Sequence, residues 1–88
     1  MTWARRVDNN HGEIIAALRK AGCAVLDLSR VGHGCPDILV SIGQKNHLLE
    51  LKSNNGKLTD DQFRFRDYWR APVHVVRSPE QALEAVGL

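Results

Sequence analysis

Glu50 and Lys52 stand two residues apart in the run His47-Leu-Leu-Glu-Leu-Lys52. On a β-strand that spacing puts both charged groups on one face and Leu49 and Leu51 on the other. Leu48 shares the charged face, which suits the rim of a site better than a buried sheet. Asp37 begins a second β-prone run, Asp37-Ile-Leu-Val-Ser-Ile42, directly after the Gly34-Cys-Pro36 break. In a meander the start of one strand lies near the end of the next, so Asp37 and Glu50 can approach each other. Two carboxylates brought together repel, and one takes up a proton unless a cation sits between them. Oxygen-only ligands favour a hard cation, Mg²⁺ or Mn²⁺. Such an ion polarises a phosphoryl oxygen and lowers the pKa of a bound water. Lys52 would orient or deprotonate that water, or stabilise the charge that develops on the phosphate. These are the parts that phosphodiester hydrolysis needs. Glu-x-Lys alone also reads as a solvated charge pair on an exposed strand, and it is Asp37 that weighs against this.

The elements that must position these residues are short and clearly punctuated. A helix is expected from about Asn10 to Ala21, with Ile14, Leu18 and Ala21 on one face and Gly22 as its stop. A β-prone run from Cys23 to Leu28 follows, then a loop from Ser29 to Pro36. The Asp37 strand, a turn from Gly43 to Asn46 and the His47–Lys52 strand come next. Short connections predict an antiparallel meander. After a loop from Ser53 to Leu58, Thr59-Asp-Asp-Gln62 opens a helix running to about Arg70. Val73, Val75 and Val76 mark a fourth strand, and Ser78-Pro-Glu-Gln81 opens a last helix. The order is α-β-β-β-α-β-α, an α/β arrangement with helices covering a four-stranded sheet.

Glu13 and Gln62 are further candidates. Asn10-His-Gly-Glu13 fits a helix capping box, and so does Thr59-Asp-Asp-Gln62, where Leu58 and Phe63 also fit a hydrophobic staple. Capping alone would explain both. Gln62 nevertheless lies on the same helical stripe as Phe65 and Trp69, so it faces inward. Glu13 sits at the edge of its own helix's apolar face. Both can therefore reach a site at the sheet rim.

Bulk properties set outer bounds. The chain has 88 residues, 43% hydrophobic and 25% charged, which fits one soluble globular domain spanning 1–88 with one core. A chain this short is marginally stable without a metal, a disulfide or a partner subunit. No run approaches the roughly 18 apolar residues of a membrane span. The first residues show no secretory signal, and two cysteines, Cys23 and Cys35, read as reduced thiols, so the cytoplasm is expected. A net charge of +2 permits nucleic-acid binding without demanding it. A two-fold dimer would double the basic surface.

Taken in order, Glu13, Gly34-Cys-Pro-Asp37, Leu49-Glu-Leu-Lys52, Gly56-Lys-Leu-Thr-Asp-Asp-Gln62 and Val75-Val-Arg-Ser-Pro-Glu80 resemble the VRR-NUC branch of the PD-(D/E)xK nucleases. The resemblance runs from about Asp8 to the end. It implies a restriction-endonuclease-like fold, a mixed four-stranded sheet flanked by helices, and a divalent-metal nuclease acting on DNA. It implies Asp37 and Glu50 as metal ligands, the backbone carbonyl of Leu51 as a third, and Lys52 as the catalytic lysine. Glu13 would support the metal directly or through water, and Gln62 would position Lys52 or the phosphate. Stand-alone members, often from phages and prophages, resemble Holliday-junction resolvases and work as homodimers. Branched DNA and a second copy of the chain are thus the expected partners.

Among the remaining residues, Lys57, Arg30, Lys45 and Arg77 sit in loops or at strand ends and are the candidates for DNA phosphate contacts. His33 and Cys35, with His47 or Cys23, match no usual zinc spacing. His11 follows a turn at Asp8-Asn-Asn10, at the surface or near the site. Phe65 and Trp69 read as core, and Asp60 with Arg64 as an i,i+4 pair on a solvated helix face. The competing function is a non-catalytic DNA-binding or assembly subunit that keeps the nuclease fold. Against it stand two close carboxylates that a phosphate-binding surface has no need of.

Overall fold

The computed structural model describes residues 2–88, with side chains from Asn10 onward. Its elements are α1 (Thr2–Lys20), β1 (Ala24–Asp27), β2 (Ile38–Ile42), β3 (Lys45–Leu51), α2 (Asp60–Tyr68), β4 (Val73–Val76) and α3 (Pro79–Ala85). The order is the one expected, and the sheet runs β1-β2-β3-β4. The first three strands form the antiparallel meander, with Asp27 opposite Ile38 and Ile38 opposite Leu49. β4 joins β3 in parallel, with Glu50 opposite Val75 and Leu51 opposite Val76. The sheet is therefore mixed, because α2 carries the chain back to β4 as a crossover.

Alternation along the strands divides the sheet into two unlike faces. One face presents Ile38, Val40, Leu49, Leu51 and Val76, all essentially shut off from solvent. Ile14 and Leu18 of α1 and Ala82 and Val86 at the α3 end pack onto it and complete the core. The other face carries Asp37, Leu39, Leu48, Glu50 and Lys52, and α2 lies over it. No residue of α2 is fully buried. All the dense packing is thus on the α1–α3 side, leaving the second face free for polar groups.

Four expectations change. α1 continues through Asn10-His-Gly12 rather than starting there, so this segment is not a cap. Local propensity is a weak prior, and the Asn10 amide finds a tertiary partner instead, the Lys52 carbonyl at 3.0 Å. The β2–β3 connection is tighter than expected. Ile42 pairs directly with Lys45, leaving a two-residue turn whose Gly43 and Gln44 both have positive φ. Finally, Trp69 is 43% exposed and stacks on Phe65 at 5.2 Å rather than entering the core. On the same helix Arg64 pairs with Asp61 and not with Asp60.

The two-faced sheet makes a direct prediction. Leu49→Ala is expected to cost about 2–5 kcal/mol in chemical denaturation, because it opens a cavity in the sealed core. Its neighbour Leu48, half-buried on the other face, should cost clearly less when changed to Ala.

Candidate active site

The β2–β3 register brings Asp37 and Glu50 together. The Asp37 N–H donates to the Leu49 carbonyl at 3.1 Å, continuing the ladder one residue beyond β2. Its side chain turns along the strand, and Oδ2 accepts the Leu51 N–H at 2.7 Å. One carboxylate oxygen is thereby locked against the β3 backbone between Glu50 and Lys52. Glu50 is the buried charged side chain of the sheet, 3% exposed. Its Oε2 accepts from Gln62 Nε2 at 3.0 Å and lies 4.0 Å from Lys52 Nζ. The lysine side chain is itself largely covered.

Gln62 does two jobs at once. Its Oε1 accepts the Thr59 N–H while Thr59 Oγ1 accepts the Gln62 N–H, a complete capping box. With Oε1 occupied as acceptor, the amide nitrogen is the group left to donate, and it donates to Glu50. The side chain that starts α2 thus ties the helix to the site, and it does so at Glu50 rather than at Lys52.

α2 is held in place from the other side by Gly34. This residue has φ +79, and a Cβ there would meet the Asp61 carbonyl oxygen at 2.1 Å and the Gln62 nitrogen at 2.9 Å. Only a glycine lets the loop before Asp37 lie so close to the first turn of α2. Cys35, next in the loop, sits close enough to both carboxylates that they add to the effect of burial in raising its thiol pKa.

Electrostatically the pair is costly as it stands. Burial first, and the adjacent Asp37 carboxyl after it, push the Glu50 carboxyl up to about 8, against the opposing pull of Lys52. At 4.0 Å the lysine is too far for a close ion pair and does not offset the burial. A divalent cation between the two carboxylates would relieve the same repulsion, and the donor set, all oxygen, fits Mg²⁺ or Mn²⁺.

The other expected residues are placed less closely. Glu13 is exposed on α1, and among the described residues no three His, Cys, Asp or Glu side chains gather around one point. The same finding leaves the zinc set of His33, Cys35, His47 and Cys23 without support. Lys57 and Arg30 are exposed in the loops flanking the site. Lys45 begins β3, five residues from Glu50, which is about 16 Å along a strand. Arg77 is turned into the 53–56 loop, where Nη1 donates to the Ser53 and Gly56 carbonyls. Two groups were misread or only half seen in the sequence. Asn10, read as a cap, holds the backbone just past Glu50. His11 lines a cleft of ≈ 300 Å³ with Asp27, Ser29 and Asp37.

Asp37, Glu50 and Lys52 thus stand together on the α2 side of a small mixed sheet. The chain matches a solved structure described as a VRR_NUC domain with a TM-score of 0.73 and 27% identity. The match covers 91% of this chain and 92% of that one. It supports placing the protein in the VRR-NUC family. No protein-family model matches the sequence, and no curated protein matches it.

Two outcomes follow from this geometry. An unfolded Glu50 ionises near its ordinary 4.5, while the folded one holds its proton to about 8. Between those values the folded state binds more protons, so without a cation stability falls as pH rises. Glu50→Gln should remove this slope, and its melting temperature in chelator should gain on the wild type from pH 5 to pH 8. Separately, Gly34→Ala is expected to cost about 1–3 kcal/mol more than Gly32→Ala in denaturant unfolding. Both glycines have φ +79, but a Cβ at Gly32 meets nothing within 4 Å, so the difference isolates the clash with α2.

Proposed function

We propose that the protein is a divalent-metal-dependent DNA endonuclease that hydrolyses phosphodiester bonds, prefers branched, junction-like DNA and works as a homodimer. The reading rests above all on Asp37 and Glu50, held side by side with Lys52 on the open face of a VRR-NUC-type sheet. Asp37 and Glu50 would hold Mg²⁺ or Mn²⁺, with the Leu51 carbonyl as a third ligand and Glu13 in support through water. Such an ion, when bound, supplies positive charge to the phosphoryl oxygens and makes an attacking water more acidic.

The chain's own residues supply the rest. Asp37 is oriented by the Leu51 N–H, which fixes one of its two oxygens against β3. Glu50 is oriented by Gln62 and shielded from water, which strengthens any charge interaction made there. Lys52 brings its ammonium to the same oxygen of Glu50. Turned to a bound phosphate, that ammonium would neutralise the charge developing in the transition state. Asn10 fixes the Lys52 carbonyl and hence the direction in which β3 leaves the sheet. Lys57 and Arg30, exposed beside the site, suit contacts to flanking phosphates.

Small size and the family likeness support the dimer, since two symmetric cuts across a junction need two sites related by a two-fold axis. The working compartment under this reading is the cytoplasm of a bacterial or phage-infected cell. Among the described residues no helix is long and apolar enough to cross a membrane.

The test is cleavage of labelled four-way junction, flap and linear duplex DNA with Mg²⁺ or Mn²⁺. Paired cuts in the junction are expected, and Asp37→Ala should lower their rate by at least about a hundredfold. No cleavage of any substrate, with DNA binding kept or tightened in Asp37→Ala, would instead assign the chain to a non-catalytic DNA-binding or assembly role.

A further inference from the structure

Arg77 follows β4 directly and is half-buried. Its Nη1 donates to the Ser53 carbonyl at 2.6 Å and the Gly56 carbonyl at 2.7 Å, with the Asn54 carbonyl at 3.4 Å. Three backbone oxygens from four consecutive residues thus converge on one nitrogen. The same segment closes on itself through the Gly56 N–H and the Ser53 carbonyl at 3.1 Å. It is tightly drawn, since a Cβ at Gly56 would lie 3.2 Å from Ser53 Oγ. The arginine is anchored in turn. Its own N–H donates to Gln81 Oε1 at 2.7 Å, and the Lys52 N–H donates to the Val76 carbonyl at 3.0 Å.

An exposed turn of Ser-Asn-Asn-Gly has little apolar surface to hold it in one shape. Carbonyls gathered on one side create a negative concavity that a cation must fill, and the guanidinium fills it. The turn begins one residue after Lys52 and ends one residue before the exposed Lys57. Its shape therefore sets the distance between the two lysines. A guanidinium bonded in this way to protein carbonyls has donors committed away from phosphate.

We propose that Arg77 is a positioning residue that moulds the Ser53–Gly56 turn and so presents Lys57 to the DNA backbone beside the catalytic lysine. The proposal rests on the nuclease reading above for its ligand, DNA. The anchoring of the turn stands apart from it.

The experiment combines hydrogen exchange with a double-mutant cycle on the full chain. Arg77→Gln should speed exchange of the amides from Asn54 to Lys57 about tenfold or more, with β3 and α2 amides unchanged as the check on folding. Binding of a labelled DNA junction in Ca²⁺ should weaken in Arg77→Gln and in Lys57→Ala. In the Lys57→Ala background Arg77→Gln should add less than about a twofold loss, because both changes remove one contact. In cleavage assays Arg77→Gln should raise KM more than it lowers kcat, and Arg77→Lys, which restores a donor under the turn, should recover part of the loss. Losses that multiply in the double variant would show Arg77 touching phosphate itself and overturn the proposal. Unchanged exchange in the turn would overturn it as well. If the wild type binds no DNA, the nuclease reading fails and Arg77's part in presenting Lys57 fails with it. The exchange result would still show separately whether the turn hangs on Arg77.

Discussion

Two carboxylates held side by side in a protein of 88 residues are an expense that the rest of the fold is built around. Their proximity follows from backbone geometry, not from attraction. Asp37 continues the β2–β3 ladder and takes the Leu51 N–H onto its side chain, so it cannot swing away from Glu50 without breaking the edge of the sheet. Glu50 is buried with a single amide donor on its oxygen and a lysine at arm's length. The amide carries no net charge and the ammonium is too far for a close ion pair, so the cost of burying Glu50 is only partly offset. Under the proposed function, a hard cation held by the two carboxylates would relieve the rest of that cost.

The division of labour between the two sheet faces makes such a site tolerable. α1 and α3 seal one face with aliphatic side chains, which supplies the hydrophobic stabilisation a small domain depends on. α2 lies over the other face without burying any residue fully. It is attached through specific points: the capping glutamine on Glu50, the close backbone approach at Gly34, and a partly exposed Phe65–Trp69 stack. A helix attached in this way holds a site in shape while leaving its mouth open. The loops on either side of Asp37 and Lys52 are similarly fixed by hydrogen bonds at chosen positions, Asn10 and Arg77 among them, rather than by packing.

Gln62 shows how far a local signal can be trusted. Its capping role was visible in Thr59-Asp-Asp-Gln62, and its inward position in the stripe it shares with Phe65 and Trp69. Both readings hold, because an amide has two ends and each has its own partner. Asn10 shows the opposite. Its neighbourhood looked like a helix start, and the same residue type suits a cap or a tertiary hydrogen bond equally well. Only a partner 42 residues away decides between them.

The amino-acid sequence by itself determined the order of elements, the buried face of β3, the capping of α2 and α3, and the pairing of Asp37 with Glu50 and Lys52. The face and the caps follow from periodicity and steric preferences within a few residues, and the meeting of Asp37 with Glu50 from the short turn that makes their strands a meander. The tertiary structure alone decided where α1 begins, that α2 buries nothing fully, and that Gln62 selects Glu50. It also placed Arg77 beneath a turn that lies more than twenty residues earlier in the chain. A charged or amide side chain has no preferred partner written into its own neighbourhood. What it binds depends on which backbone oxygens the finished fold leaves within its reach.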